Sequence, residues 1–429
     1  MLVNLPQAQG GFPMTEKHLE EKINCLLEHI DDPECREHYF RLISTLLEKG
    51  YFPGLAEVPV VKSSISHIDG DKGLLTYRGY PVEELAENCS FETVCYLILY
   101  GDLPLADEED ELREKLLSNI YLPADISQSI VNFNPRIHPM NMLSAATLLL
   151  ESDDKESTNV ENYKENMERA LGLIAKFPTI IGTFLTKNPD FNQKRTFSSF
   201  AEYCLFCFNP ELSKNPAYVK MFEEALILHM DHTMNNSTFS ARAVGSSWAG
   251  IYALISSAVN SLSGPLHGGA NERVIRSLQN IGAPENVPIH VENSLDHHQK
   301  IMGIGHRIYK TYDPRAKYFK EHILPKVFGN PEKLAKENPE LLKLYQTAIQ
   351  LEKFVREKLG KKKLYPNVDF WSGLFYLAIG SPVEYFTTIF AIARVVGWTS
   401  HWIEQQNSGG KIYRPYQLYV GFDTRHILK

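Results

Sequence analysis

Along most of the chain apolar residues return every three or four positions, with short Pro and Gly breaks between runs, and that spacing predicts helices. Residues 15 to 50 read as two amphipathic helices, EKHLEEKINCLLEHI and REHYFRLISTLLEKG, the second ended by Gly50 and followed by Pro53 and Gly54. Val58 to Tyr80 differs. Its apolar and polar residues alternate and it carries an Asp69-Gly70 turn signal, so a short hairpin or two is expected, the only convincing β-structure. From Val82 onward the helical period dominates, as in FETVCYLILYG, MLSAATLLLES and the stretch from Tyr218 to His229. The polar residues 152 to 165 read as an exposed loop, and a second polar, Pro-interrupted stretch runs from Gly329 to Glu340. No repeat or low-complexity tract interrupts this pattern, and the fold is read as mainly α.

A length of 429 residues allows two or three domains, or one large helical domain with an insertion. The hydrophobic share of 43% and charged share of 22% suit a soluble protein with a real core. The net charge of −8 disfavours non-specific nucleic-acid binding. The longest apolar stretches, near Ala249 to Leu262 and Tyr385 to Trp402, are broken by Ser, Asn or Arg and read as buried helices rather than membrane spans. The opening MLVNLPQAQGG has no basic start and no apolar run, so no secretory or transit peptide is expected. Cysteines at 25, 35, 89, 95, 204 and 207 do not form a disulfide framework, and a reducing, cytoplasmic setting is the expectation. The CxxC at Cys204 and Cys207 lacks the second pair that a zinc site wants, and buried apolar packing is the favoured reading.

Some familiar motifs fail. Gly303-Ile304-Gly305 begins a GxG, but Ile308 stands where a dinucleotide loop needs Gly, and no strand precedes it. No Walker loop or GxSxG elbow is present. His229 and His232 stand one helical turn apart, but a metal needs a third ligand and HExxH is absent, so no metal is expected.

Four stretches carry polar groups where a plain core would not want them. In SGPLHGGANERV, His267 precedes a helical pattern, where the positive end of the helix dipole disfavours imidazolium. A neutral imidazole there could donate to a developing enolate; an ordinary turn with a solvated histidine is the competing reading. In KIMGIGHRIYKTYDPRA, His306 follows a flexible GxG, with Arg307, Lys310 and Arg315 close behind. That charge suggests an anionic ligand, against a merely solvated basic loop. In YPNVDFWSGLFYLAIG, Asp369 begins an apolar helix. It is either an N-cap or a desolvated carboxylate whose raised basicity suits a general base. In VEYFTTIFAIARVVGWTSHWIEQ, Arg394 lies inside an apolar helix and needs an anion, either a ligand carboxylate or an internal Asp or Glu. Arg414 in IYRPYQLYVG is a weaker candidate by itself.

Taken in order, these stretches resemble the citrate synthase family. The resemblance spans about Gly54 to Gly421 and includes LHMDHTMNNSTF, GPLHGGANE, MGIGHRIYKTYDPRA, YPNVDFWSG, ARVVGWTSHWIEQ, RPYQLYVG, SSISHIDGDKGLLTYRGYPVEELA and HPMN at His138 to Asn141. It implies a two-domain α-helical homodimer with the active site in a cleft. The large domain would be residues 54–268 with 380–429, the small domain 269–379, and residues 1–53 a helical extension. It further implies that His267, His306 and Asp369 are catalytic. His232, Arg315 and Arg394 would bind oxaloacetate, with Arg414 supplied across the dimer. Met302, Gly303, Ile304, Gly305 and Asn367 would lie near CoA, as would Lys310, Lys361, Lys362 and Lys363 by a looser guess at phosphate contacts.

The implied reaction condenses acetyl-CoA with oxaloacetate and hydrolyses the resulting thioester, with both as substrates and no cofactor. Each pK unit of mismatch costs ~1.4 kcal/mol, so Asp369 could not deprotonate a thioester methyl unaided; His267 would stabilise the enolate and His306 would polarise the ketone. Departures from the family pattern are Tyr416, Met230, Asn141 and Ile304. They leave acyl preference open, and 2-methylcitrate synthase acting on propionyl-CoA is the nearest alternative. A non-catalytic ligand-binding relative and a metal-dependent hydrolase built on His229 and His232 are further ones. The N-terminal extension lacks the β-rich segment of NADH-inhibited hexameric relatives, so a dimer without that control is expected.

Overall fold

The computed structural model describes residues 52–55, 58–192, 195–359, 364–417, 419, 422 and 424–427. The two helices expected before Gly50, and the lysines at 361–363, lie outside the described residues. Ser63–Tyr413 forms one compact unit, and the chain up to Lys62 together with Arg414–Lys429 is grouped as another.

The alternating stretch forms one small antiparallel sheet of β1 (Ser66–Asp69), β2 (Leu74–Tyr77) and β3 (Tyr80–Pro81), in that order. Ser66 pairs with Tyr77 and Asp69 with Leu74. Residues 58–65, also expected to alternate into strand, carry no strand. The β1–β2 turn is held by Asp69 Oδ1, which accepts from the amides of Asp71 (3.2 Å) and Lys72 (3.0 Å).

Helices follow: α1 (Val82–Asn88), α2 (Phe91–Tyr100), α3 (Ala106–Ser118), α4 (Ala124–Asn132), α5 (Pro139–Leu149) and α6 (Tyr163–Thr186). Next come α7 (Phe200–Phe206), α8 (Pro216–Ile227), α9 (Asn236–Gly245), α10 (Ile251–Leu262), α11 (Ala270–Ile281) and α12 (Val287–Asp296). The last group is α13 (Pro314–Tyr318), α14 (Leu324–Phe328), α15 (Pro331–Glu337), α16 (Pro339–Leu359), α17 (Val368–Ala378) and α18 (Phe386–Asn407). The boundaries follow local chemistry. Ser90 caps α2 by accepting from the Thr93 amide, and Gly101 closes it at φ 107°. Pro stands in the first turn of α5, α8 and α13, where its missing N–H costs nothing.

α18 is mostly apolar and buried along nearly its whole length in the middle of the core, packed by α2, α6, α9 and α10. α11 packs on α17, and α17 on α13. Cys204 and Cys207 are buried free thiols at the end of α7, as apolar packing required. Among the described residues no helix is long and apolar enough to cross a membrane, and no three His, Cys, Asp or Glu side chains gather as a metal site.

The hairpin tip has one job visible in its packing. The Gly70 carbonyl accepts from the Lys310 amide at 3.0 Å, and a Cβ on Gly70 would lie 2.3 Å from the Ile308 carbonyl oxygen. Only glycine permits this approach, which pins the loop that follows His306. Gly70→Ala is expected to cost about 1–3 kcal/mol through overpacking, read as a lower denaturation midpoint. Gly172→Ala, on α6 with only an ordinary 3.5 Å contact to Lys176 Nζ, is the control and should instead stabilise by roughly 0.5–1 kcal/mol.

Candidate active site

The segment between α8 and α9 carries His229, Asp231 and His232. His229 turns inward. Its Nδ1 bonds the Ala225 carbonyl at 2.7 Å and its ring packs on Phe319, Tyr376 and Phe390. Burial drives its pKa down to about 3. His232 instead meets the Tyr309 hydroxyl through Nε2 at 3.2 Å, and its ring centroid lies 5.4 Å from that of His306. The two histidines one turn apart thus serve different surroundings, not a shared ion. His232 is held neutral by desolvation first, then by Arg315, His306, Arg394 and His267.

His306 has a defined tautomer. Its Nδ1 accepts from the amides of Ile308 (3.0 Å) and Tyr309 (3.1 Å). Amides only donate, so the ring proton sits on Nε2. Desolvation lowers its pKa to about 4, partly countered by Asp313 and reinforced by Arg315.

His267 lies in the turn between α10 and α11, two residues before the Gly269 cap. Its Nε2 accepts from the Ser237 amide at 3.3 Å and touches Ser237 Oγ at 2.8 Å. By the same reasoning its proton resides on Nδ1. Ser237 is fixed in turn by Trp398 Nε1, which donates to its hydroxyl at 3.1 Å. Desolvation, then Arg394, pushes the His267 pKa down to about 3.

Asp369 is the second residue of α17. The cap is Asn367, whose side-chain oxygen accepts from the Asp369 amide at 3.1 Å. The N-cap reading of Asp369 is thereby removed. Its Oδ1 is buried without a hydrogen-bond partner. Desolvation lifts the carboxyl to about 7; Arg315 and Arg394 pull it back and Asp313 adds to the rise.

The two arginines differ. Arg315 is buried and forks onto Asp313, with Nε to Oδ1 at 3.0 Å and Nη2 to Oδ2 at 2.8 Å. Asp313 Oδ2 also accepts from the Val368 amide at 3.2 Å, so one carboxylate ties Arg315 to the first turn of α17. Arg394, 1% exposed, has no carboxylate in contact. Its Nε donates to the His229 carbonyl at 2.7 Å, its guanidinium lies over Phe390, and Nη2 is buried without a partner. Desolvation lowers its pKa to about 10.

The residues expected near CoA form one layer of two strands of chain. Asn367 donates from its amide to the Gly303 carbonyl (2.9 Å) and from its side chain to the Gly305 carbonyl (3.0 Å), while the Gly305 amide donates to Tyr365 (2.7 Å). Ile304 bridges to Pro366. Gly303 and Gly305 take φ of 76° and 89°, conformations that favour glycine, and a Cβ at 303 would lie 2.7 Å from Val274. Met302 packs partly buried against the core. Lys310 is exposed and 3.5 Å from Asp71. Arg414 is exposed and belongs to the other compact unit. Asp313, Tyr309 and Ser237 were not anticipated. The Asp-Pro-Arg triplet could have pointed to Asp313, because Asp before Pro is a cap signal. Nothing local marks Tyr309 or Ser237.

The family model for the C-terminal domain of citrate synthase matches residues 54–416. Citrate synthase of Synechocystis sp. is 41% identical over 86% of this chain and 90% of its own length. The peroxisomal citrate synthase of Dictyostelium discoideum is 38% identical over 86% of this chain and 77% of its own. Among solved structures, the ternary complex of Thermoplasma acidophilum citrate synthase with carboxymethyl coenzyme A and oxaloacetate superposes with a TM-score of 0.79 at 31% identity, covering 88% of this chain and 98% of that one. The Pyrobaculum aerophilum enzyme gives 0.77 at 37% identity, covering 88% and 94%. With such coverage at both levels, the chain belongs to the citrate synthase family and is an acyltransferase of that kind.

Proposed function

We propose that this site condenses acetyl-CoA with oxaloacetate, with Asp369 as base, His267 as enol-stabilising donor and His306 as acid. The observation that carries the reading is the pairing of a carboxyl lifted to about 7 with two imidazoles of fixed, opposite tautomer. The Asp369 carboxylate takes a proton from the thioester methyl while His267 Nδ1–H donates to the thioester oxygen. The enol carbon then attacks the keto carbon of oxaloacetate, and its electron pair becomes the new C–C bond. The ketone oxygen takes the proton of His306 Nε2, leaving a tertiary alcohol. Water finally cleaves the thioester, giving citrate and CoA.

Arg394 Nη2, buried without a partner, donates to a substrate carboxylate, and His232 and Arg315 complete the anion pocket. Arg414 of a second copy would add a further cation in a homodimer. Residues Met302 to Gly305 and Asn367 form the floor for CoA, with Lys310, Lys361, Lys362 and Lys363 as phosphate contacts. Residues 54–268 with 380–429 act as the large domain and 269–379 as the small domain, with residues 1–53 as an extension. The scheme needs no metal or cofactor, and a cytoplasmic enzyme of central carbon metabolism fits it. Acetyl-CoA is the preferred acyl donor, because the curated relatives matched are citrate synthases.

Thiol release from oxaloacetate with acetyl-CoA and with propionyl-CoA tests the reading. Faster release with acetyl-CoA is expected; a preference for propionyl-CoA would reassign the enzyme. Asp369→Asn should lower kcat by 10³-fold or more in order of magnitude, with oxaloacetate affinity little changed. The same variant should raise stability at pH 8 and leave it unchanged at pH 4. A carboxyl whose folded pKa is raised costs nothing below its unfolded value, and the cost grows until pH passes the folded value near 7. Denaturation midpoints at the two pH values check this. Arg394→Leu should weaken oxaloacetate binding by about 10- to 100-fold, the worth of charge-assisted hydrogen bonds to a carboxylate; equal affinity by calorimetry would make that arginine structural.

A further inference from the structure

Behind His232 lies a closed ring of polar side chains that the reaction itself does not use. Asp231 is fully buried. Its Oδ2 accepts from the Ser66 hydroxyl, from the Thr233 amide at 3.2 Å and from His401 Nε2 at 3.4 Å, while its Oδ1 lies 3.3 Å from the same imidazole nitrogen without a hydrogen bond. His401 Nδ1 is 3.1 Å from Arg242 Nη1. A guanidinium only donates, so that nitrogen carries the lone pair and Nε2–H points at Asp231. Arg242 Nη1 also donates to Glu404 Oε2 at 2.9 Å, and Glu404 Oε1 accepts from the Ser64 amide at 2.9 Å. Only Ile65 separates Ser64 from Ser66, so the circuit closes through the chain at β1, the segment after α8, α18 and α9.

The geometry is aimed at the backbone on either side of His232. Tyr77 Oη accepts from the Asp231 amide at 3.3 Å and donates to the carbonyls of Ile227 and Asp231, both at 3.1 Å. Thr233, a β-branched residue at φ 51°, is held in that costly conformation by its amide bonds to Asp231 Oδ2 and to Ser66 Oγ (3.0 Å). α18 comes close enough for this only because residue 397 is glycine; a Cβ there would lie 2.5 Å from Asp231 Oδ1 and from the Met230 carbonyl.

We propose that Asp231 is the positioning residue for His232, and that His401, Arg242 and Glu404 exist as a ring to fix the Asp231 carboxylate. The inference rests on reading His232 as an oxaloacetate ligand. Fixing the backbone on both sides of a histidine fixes the direction of its Cα–Cβ bond and narrows the rotamers open to its ring, which lowers the ordering cost of substrate binding.

The test measures the Kd for oxaloacetate by calorimetry, beside KM for oxaloacetate and for acetyl-CoA, in four variants of the full chain. Asp231→Asn and His401→Leu should raise Kd and KM for oxaloacetate by about 10- to 100-fold, the range for losing hydrogen bonds to an ionised group, with KM for acetyl-CoA within ~3-fold of wild type. His401→Gln can still accept from Arg242 and donate to Asp231, and should restore oxaloacetate binding to within about 3-fold of wild type. Ser66→Ala removes one donor from the edge of the ring and should give a smaller shift in the same direction, so the test stands if His401→Leu fails to fold. Variants that lower the denaturation midpoint but bind oxaloacetate as wild type does would overturn the positioning role. Wild-type protein that binds no oxaloacetate would instead overturn the reading of His232 itself, and the inference with it.

Discussion

A guanidinium inside an apolar helix sets the terms for everything around it. Arg394 is buried in α18 with an aromatic face on one side, a single carbonyl acceptor and no contacting carboxylate. Burying such a charge without an anion costs several kcal/mol, and the rest of the fold must offset it. α18 is placed at the centre of the core, wrapped on all sides, and that wrapping supplies the apolar burial that allows one polar exception. The negative charge that acts most strongly on Arg394 is that of Asp231, which makes no ion pair with it. Under the proposed function, a substrate carboxylate supplies the anion that the helix itself lacks.

The same desolvation sorts the other titratable groups. Water is excluded, so each charged form is penalised: His229, His232, His267 and His306 become neutral, and the Asp369 carboxyl rises. Hydrogen bonds from amides then decide which nitrogen of the His267 and His306 imidazoles carries the proton. Ser237 N–H leaves His267 with Nδ1–H, and the amides of Ile308 and Tyr309 leave His306 with Nε2–H. Two identical side chains thus become donors from opposite nitrogens. Burial supplies the neutrality, and local backbone supplies the direction.

Much of this was legible along the chain because it is local. The hairpin was marked by alternation and an Asp-Gly turn, the flexible GxG before His306 by its glycines, and Arg394 by a charge inside an apolar helical period. Two matters needed three dimensions. Asp369 could be a cap or a base from sequence alone, and the side chain of Asn367, two positions earlier, removes the first of these readings by taking the cap. The ring through Ser64, Ser66, Asp231, His401, Arg242 and Glu404 joins residues up to 340 positions apart, which no local period can announce. Strand over 58–65 was over-read for the opposite reason: alternation alone does not make a strand without a partner to pair with.

The placement of glycines connects these layers. At 70, 303 and 397 the absent Cβ lets backbone or carboxylate approach within distances that any side chain would forbid. Each approach joins a functional loop to a rigid element: the loop after His306 to the hairpin, the layer expected under CoA to α11 and α17, and the Asp231 segment to α18. A rigid site assembled from mobile kinds of chain needs such joints, because loop side chains alone lose too much entropy on ordering. Catalytic precision in this protein therefore depends on residues with no chemistry of their own as much as on those that touch the substrates.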